Sequence, residues 1–298
     1  MTSHWIIAGC RGQLGTALGQ HLRSDPDSQI VAAVDLPEVD LADRGAVAEL
    51  FDRLDSPPDV LVNAAAFTHV DRCEREPEAA HRGNALAPEV LAQACVKRGV
   101  RLVHVSTDYV FAGDSEIPYT EDDTPAPRSG YGRTKLAGER SVLSLCPDAL
   151  VVRTSWVFGR GRNFIAAILE QARKRRSGEL QGPLKVVADQ HGRPTYAYDL
   201  AGGILGLLER RVHGVFHLAN SGVATWWDLA RVCLDAAGFS DLSVERIRTD
   251  ELVLDAPRPA WSVLDTSKAE AVGVTMRSWE EALSAYLESD ESPIEPSM

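Results

Sequence analysis

Residues 5–15 read WIIAGCRGQLG, and this stretch decides the fold. Trp5-Ile6-Ile7-Ala8 is a continuous apolar run of the length of a short buried strand. Gly9, Gly12 and Gly15 follow as G-x-x-G-x-x-G, and Leu14, Ala17, Leu18 and Leu22 recur at helical spacing. Strand, glycine turn and helix in that order make a cradle for a dinucleotide. Glycine allows a tight turn, close approach of backbone to a pyrophosphate and close helix packing, while the helix N-terminus offers N–H donors to the anion. A glycine-rich turn without a ligand is the bland alternative, and the strand–turn–helix context disfavours it.

The pattern continues outward from this stretch. Strands are expected at 30–35 (IVAAVD), 59–63 (DVLVN), 101–106 (RLVHVS) and 150–154, with helices at 46–54, 84–98 and 131–145 between them. Continuous apolar strands alternating with helices mean a parallel sheet covered on both faces. The fold class is therefore α/β, a doubly wound parallel Rossmann-type sheet. After Thr154 the rhythm changes to a helix at 163–175, a strand at 185–188, a Gly192-Arg193-Pro194-Thr195 turn and a helix at 199–210. Thr225 with Asp228 three residues on is an acidic capping box opening another helix. The expected organisation is a dinucleotide-binding domain at 1–154, with exchange of chain between lobes, and a smaller C-terminal α/β substrate lobe at 155–288. The polar, proline-containing tail 289–298 (SDESPIEPSM) is expected to be disordered.

The 298 residues are 44% apolar and 25% charged, an ordinary globular composition. The net charge, 31 − 43 = −12, opposes a general electrostatic grip on nucleic acid. The five cysteines are odd in number and scattered, which fits reduced thiols and neither a disulfide frame nor a zinc site. No signal peptide precedes the first strand, and no apolar run approaches the ~20 residues that span a bilayer. A soluble, cytoplasmic protein with no membrane partner is expected.

The chemistry concentrates in two segments. Ser106-Thr107-Asp108-Tyr109-Val110-Phe111 ends a strand, and Tyr131-Gly132-Arg133-Thr134-Lys135 opens a helix. Tyr131 and Lys135, four residues apart, share a helical face. A nearby ammonium favours the phenolate and lowers the phenol pKa. Bringing it from about 10 to neutrality takes roughly 3 units, or about 4 kcal/mol. Tyr131 is thus a candidate general acid for a developing alkoxide. Alone, such a pair is usually surface decoration; the glycine loop and the polar strand end give it meaning here. Asp35 ends the second strand, roughly 20 residues past Gly15, where an acid binds an adenosine ribose 2′-hydroxyl and favours NADH. Arg11 offsets this for a phosphorylated ribose, so NADPH and NADH both stand. Ala64-Ala65-Ala66 after the third strand let a flat ligand lie on the backbone, or mark tight packing.

These segments, with others in order, resemble the dTDP-4-dehydrorhamnose reductase family of the extended short-chain dehydrogenase/reductase superfamily. The matching stretches include V-D-L-A-D (39–43), V-N-A-A-A-F-T-x-V-D (62–71), S-T-D-Y-V-F-x-G (106–113) and Y-G-x-T-K-L-A-G-E (131–139). R-T-S-W-V-F-G (153–159), D-Q-x-G-x-P-T (189–195) and R-P-x-x-S-V-L-D-T-S-K (258–268) extend the likeness over nearly the whole chain. The resemblance implies that Tyr131 and Lys135 are the catalytic pair and that Thr107 positions a substrate ketone. It makes Asp108, Thr68, Val70 and Trp156 substrate contacts, and has Arg258 close on the nucleotide sugar. Gly12, Gln13, Leu14, Asp40, Leu41 and Ala64 to Ala66 become cofactor contacts. Each has a bland reading: Trp156 a half-buried ring, Arg258 a surface residue, Thr107 a strand-end hydroxyl. His104, in an apolar strand, reads as a core histidine. Two departures stand out, Cys10-Arg11 in the loop and Trp261 where the family often has a polar residue.

The implied reaction is reduction of the C4 ketone of dTDP-4-dehydro-L-rhamnose with NADPH or NADH. Tyr109 follows Thr107-Asp108 where a nucleotide-sugar 4,6-dehydratase usually carries Glu, which disfavours dehydration. Another dTDP-deoxysugar 4-ketoreductase is harder to separate, and a non-catalytic regulatory subunit of the methionine adenosyltransferase type is opposed by the intact Thr107, Tyr131 and Lys135. The expected partner is a dTDP-sugar, with the chain a monomer or homodimer. Some relatives use Mg²⁺, but no metal-ligand cluster shows in the sequence.

Overall fold

The computed structural model describes residues 2–293. Its first half alternates β1 (Ser3–Ala8), α1 (Gln13–Ser24), β2 (Ser28–Val34), α2 (Arg44–Asp52), β3 (Val60–Asn63), α3 (Val70–Arg75), α4 (Pro77–His81), α5 (Ala87–Arg98), β4 (Arg101–Thr107), α6 (Gly130–Leu145) and β5 (Leu150–Thr154). β6 (Val157–Phe158), α7 (Phe164–Arg176), β7 (Leu184–Val187), β8 (His191–Gly192), β9 (Thr195–Tyr196) and α8 (Ala197–Glu209) follow. The chain ends through β10 (Gly214–His217), β11 (Ala224–Thr225), α9 (Trp226–Ala236), β12 (Val244–Ile247), α10 (Ser267–Ala271) and α11 (Trp279–Glu288).

Six strands in the order β10-β5-β4-β3-β1-β2 form one sheet, and every pairing in it is parallel. This is the expected doubly wound, Rossmann-type architecture. Successive strand residues point to opposite faces, and both faces are covered. Ile7, Val62, Val103 and Val152 pack under α1 and α8, while their neighbours Ile6, Leu61, Leu102 and Val151 pack under α2 and α5. The strands therefore read as unbroken apolar runs. The winding changes direction between β1 and β3, which opens a crevice above the carboxyl ends of those strands.

The later half of the chain returns to this first lobe. β10 adds to the sheet beside β5, pairing Val215 with Val151. Leu200, Ala201, Ile204 and Leu207 of α8 bury their side chains in the core that α1 also covers. The remaining second lobe packs α7, α9 and α11 around the rings of Phe158, Tyr196 and Tyr286. Its ladders are short two-stranded pairs. Thr225 and Asp228 form the capping box of α9. The helices α3, α4, α10 and α11 have no counterpart in the sequence pattern, and the helix expected at 84–98 begins within a π-turn at Arg82–Leu86.

Of the tail 289–298, residues 294–298 lie outside the described residues. Ahead of them Glu291 accepts a hydrogen bond from Gln20 Nε2 of α1 at 2.9 Å. All five cysteines are free thiols. Among the described residues no helix is long and apolar enough to cross a membrane.

Candidate active site

The glycine turn after β1 opens a cavity of about 950 Å³ that runs past Ala64, Ala65 and Ala66 to Thr107, Tyr131 and Trp156. Gly9, Gly12, Gln13, Leu14, Asp35, Asp40 and Leu41 line its first part. Gly15 lies beneath the loop, where a Cβ would come within 2.1 Å of the Gly9 carbonyl oxygen, so its glycine serves packing. α1 has Gly12 at its N-cap and no side-chain acceptor there, which leaves its first N–H groups for an anion.

At the far end of this part an acid and a cation stand together. Asp35 accepts from the backbone N–H groups of Arg11 at 3.1 Å and Leu36 at 2.9 Å. The Arg11 guanidinium donates to Leu36 O at 3.0 Å and to the Glu38 carboxylate. Asp40 accepts from Arg82 at 2.6 Å and from Ala42 N at 3.0 Å, and the Arg82 hydrogen bond holds its carboxyl below the usual range.

The reacting end depends on a close approach of α6 to the end of β4. A Cβ on Gly132 would stand 2.1 Å from Tyr109 O, so only glycine admits this contact. The α6 N-terminus is fixed by Ser129 Oγ, which accepts from Gly132 N at 3.1 Å, and by Glu74, which accepts from Gly130 N at 2.6 Å. Tyr131 then meets the Tyr109 ring edge-on at 5.5 Å. Thr107 Oγ1 donates to Asp108 Oδ1 at 2.9 Å and accepts from Tyr109 N at 3.2 Å. Lys135 is 2% exposed, and its Nζ donates to Val105 O at 2.7 Å.

The charges differ here from the expectation. Burial pushes the Tyr131 phenol up, Asp108 adds to the rise, and the Thr107 hydroxyl opposes it. Lys135 does not lower it, because its ammonium is turned to the Val105 carbonyl. Burial also pushes Lys135 down to about 8 against the pull of Glu139, and Asp108 up to about 6. His104 is fully buried beside Asn63, and burial holds it well below its ordinary value, a neutral core histidine. Gln13 Oε1, Ser106 Oγ and Thr154 Oγ1 are buried without hydrogen-bond partners, and all three residues line the cavity. Buried polar atoms are normally paired, so this lining fits a polar ligand such as a reduced nicotinamide dinucleotide with a sugar.

Thr68, Val70, Asp108 and Trp156 join the cavity as expected. Arg258 does not line it. Its guanidinium pairs with Asp71 Oδ2, in the first turn of α3, at 2.6 Å and donates to Ala256 O at 2.9 Å. Trp261 also lies off the cavity, donating from Nε1 to Ile117 O at 2.9 Å. Arg82, Ser155, Arg160, Arg162 and Trp226 line the cavity and were not singled out in the sequence. The G-R-G-R run at 159–162 was a legible signal for two of them. Among the described residues no group of three or more His, Cys, Asp or Glu is placed to hold a metal ion.

The model of the family described as the RmlD substrate binding domain matches residues 3–292. The chain belongs to this family. A dTDP-4-dehydrorhamnose reductase of Mycolicibacterium smegmatis is 41% identical over 288 residues, covering 95% of this chain and 84% of that protein. The crystal structure of a dTDP-4-dehydrorhamnose reductase from Clostridium acetobutylicum superposes with a TM-score of 0.90 at 35% identity, over 96% of this chain and 98% of the other. A Bacillus anthracis dTDP-4-dehydrorhamnose reductase solved in complex with NADP gives 0.88 at 32% identity, over 96% and 99% of the two chains. Membership in the RmlD family thus extends over both lobes.

Proposed function

We propose that the chain reduces the C4 ketone of dTDP-4-dehydro-L-rhamnose to dTDP-L-rhamnose with NADPH. One observation carries the reading: a glycine-loop cradle and the Thr107, Tyr131 and Lys135 side chains share a single cavity. Gly12, Gln13, Leu14, Asp40, Leu41 and Ala64 to Ala66 would hold NADPH, with Lys135 on its ribose, and the bound cofactor supplies the hydride. The complex of the Bacillus anthracis relative with NADP supports the phosphorylated cofactor; Arg11, paired with Glu38, would have to release that carboxylate to meet a 2′-phosphate.

Tyr131 Oη gives its proton to the C4 oxygen as charge develops there, and Thr107 Oγ1 orients that oxygen. A phenol raised by burial stays protonated through neutral pH, so Tyr131 holds the proton that the developing alkoxide takes up. The Lys135 ammonium, held at the Val105 carbonyl, would anchor the nicotinamide ribose and so set the hydride donor against C4. Asp108 and Trp156 bind the sugar.

Consumption of NADPH and of NADH with dTDP-4-dehydro-L-rhamnose, followed by NMR of the product, tests the reading. Oxidation yielding dTDP-L-rhamnose supports it; an epimeric product points to another deoxysugar ketoreductase, and tight cofactor binding without oxidation to a regulatory subunit. The pH dependence gives a further expectation. kcat/KM reports the free enzyme. Lys135 loses its proton as pH rises through about 8, while Tyr131 keeps its own to higher pH. kcat/KM should therefore fall above about pH 8, approaching tenfold per unit. A profile flat to about pH 10 would contradict an essential ammonium at this position.

A further inference from the structure

We propose that Trp226, the first residue of α9, is a positioning residue that fixes the indole of Trp156 as the wall against which the sugar of the substrate is set. The proposal rests on the functional reading above. The two indoles are stacked face to face, with centroids 3.7 Å apart and planes within 5°. Phe164 leans on Trp226 at 4.8 Å. Trp226 is itself anchored, since its Nε1 donates to Gln190 Oε1 at 3.0 Å and Gln190 Nε2 donates to Thr249 Oγ1 at 3.0 Å. Thr249 Oγ1 in turn donates to Asp189 Oδ1 at 2.6 Å, which ties the ring to the loop after β7.

Trp156 needs such support. Its φ of 47° lies in the left-handed region that bulky L residues rarely occupy, and such strain persists only where surrounding structure over-determines it. Its carbonyl accepts from Thr195 N at 3.2 Å. A Cβ on Gly192 would fall 2.4 Å from Trp156 Cε2, so the indole also lies against a bare backbone. Both tryptophans line the cavity. Thr154, two residues before Trp156, is the sheet partner of Thr107, so the wall is registered to the reacting end through β4 and β5. A wall held this way aids ground and transition states alike, and its loss should appear in KM more than in kcat.

The test uses the full chain with NADPH and sugar nucleotide. Trp226→Leu should raise KM for the sugar nucleotide roughly tenfold, as expected for loss of one aromatic pair, with kcat within about twofold. Trp226→Phe, which keeps an aromatic face, should recover most of that loss. Gly192→Ala, which leaves Trp226 intact but displaces the Trp156 ring, should raise KM in the same way. The far-ultraviolet circular dichroism of the free protein should carry an exciton couplet that Trp226→Leu abolishes. An unchanged KM in Trp226→Leu, or a loss confined to kcat, overturns the proposal. If the wild-type chain turns over no sugar nucleotide, the functional reading fails instead. The positioning role then stands on the dissociation constant of dTDP-L-rhamnose rising in the same variants, and falls if it does not.

Discussion

Tyr131→Phe is expected to lower kcat by about 10²–10⁴, the range of one general acid, with KM for both substrates little changed. The substitution removes one oxygen and leaves the ring. The helix start that carries the ring is fixed independently by Ser129, Glu74 and the close contact at Gly132. The Tyr109 ring at 5.5 Å packs on the edge of the ring and not on its hydroxyl alone. Folding and cofactor binding should therefore survive, and the loss should appear in single-turnover rates where product release is invisible. Near-normal single-turnover rates in this variant would mean that the proton comes from elsewhere.

A second large effect should appear in stability. Glu139 and Arg153 form a bidentate pair, at 3.0 Å and 2.7 Å, with side chains only 2% and 4% exposed. Arg153 also lies over the Phe111 ring at 5.0 Å. Glu139→Gln leaves that guanidinium buried without a counter-charge, which should cost about 3–5 kcal/mol. For a chain of 298 residues that is a fall in Tm of roughly 5–8 °C. Removing both charges, as Glu139→Leu with Arg153→Met, should recover most of the loss, because no buried charge is then left unpaired. Glu139 also supports the protonated form of Lys135 against burial. Its loss lowers the Lys135 pKa further, so the fall of kcat/KM should begin below about pH 8 in Glu139→Gln. A Tm unchanged in Glu139→Gln, or a falling limb that does not move, would contradict this role.

Much of this arrangement was legible in the chain because it is written in local patterns. The run 5–8, the three glycines and the apolar periodicity of α1 report their own environment, and so do the strands whose neighbouring residues serve opposite faces of one sheet. Tyr131 and Lys135 were legible as a pair because helical spacing puts them on one face. What the chain did not disclose depends on distant partners. β10 joins the sheet from beyond residue 210, and nothing in Gly214–His217 marks it as a sheet edge. The sign of the Tyr131 shift is set by how deeply α6 docks against β4 and by where the Lys135 ammonium turns, neither of which spacing determines. Arg258 is claimed by Asp71, nearly two hundred residues earlier, so its place in a motif did not put it in the cavity. Trp226 sits behind a capping box that announced a helix start and said nothing of the Trp156 ring it meets.

The most direct test of the central claim follows the hydride. The chain is mixed with one equivalent of NADPH carrying deuterium at the transferable position of the nicotinamide and with dTDP-4-dehydro-L-rhamnose. The product is then read by NMR. The account predicts deuterium at C4 of dTDP-L-rhamnose, in yield matching the NADPH consumed. NADPH consumed with deuterium at any other carbon, or bound and returned unoxidised, would contradict it.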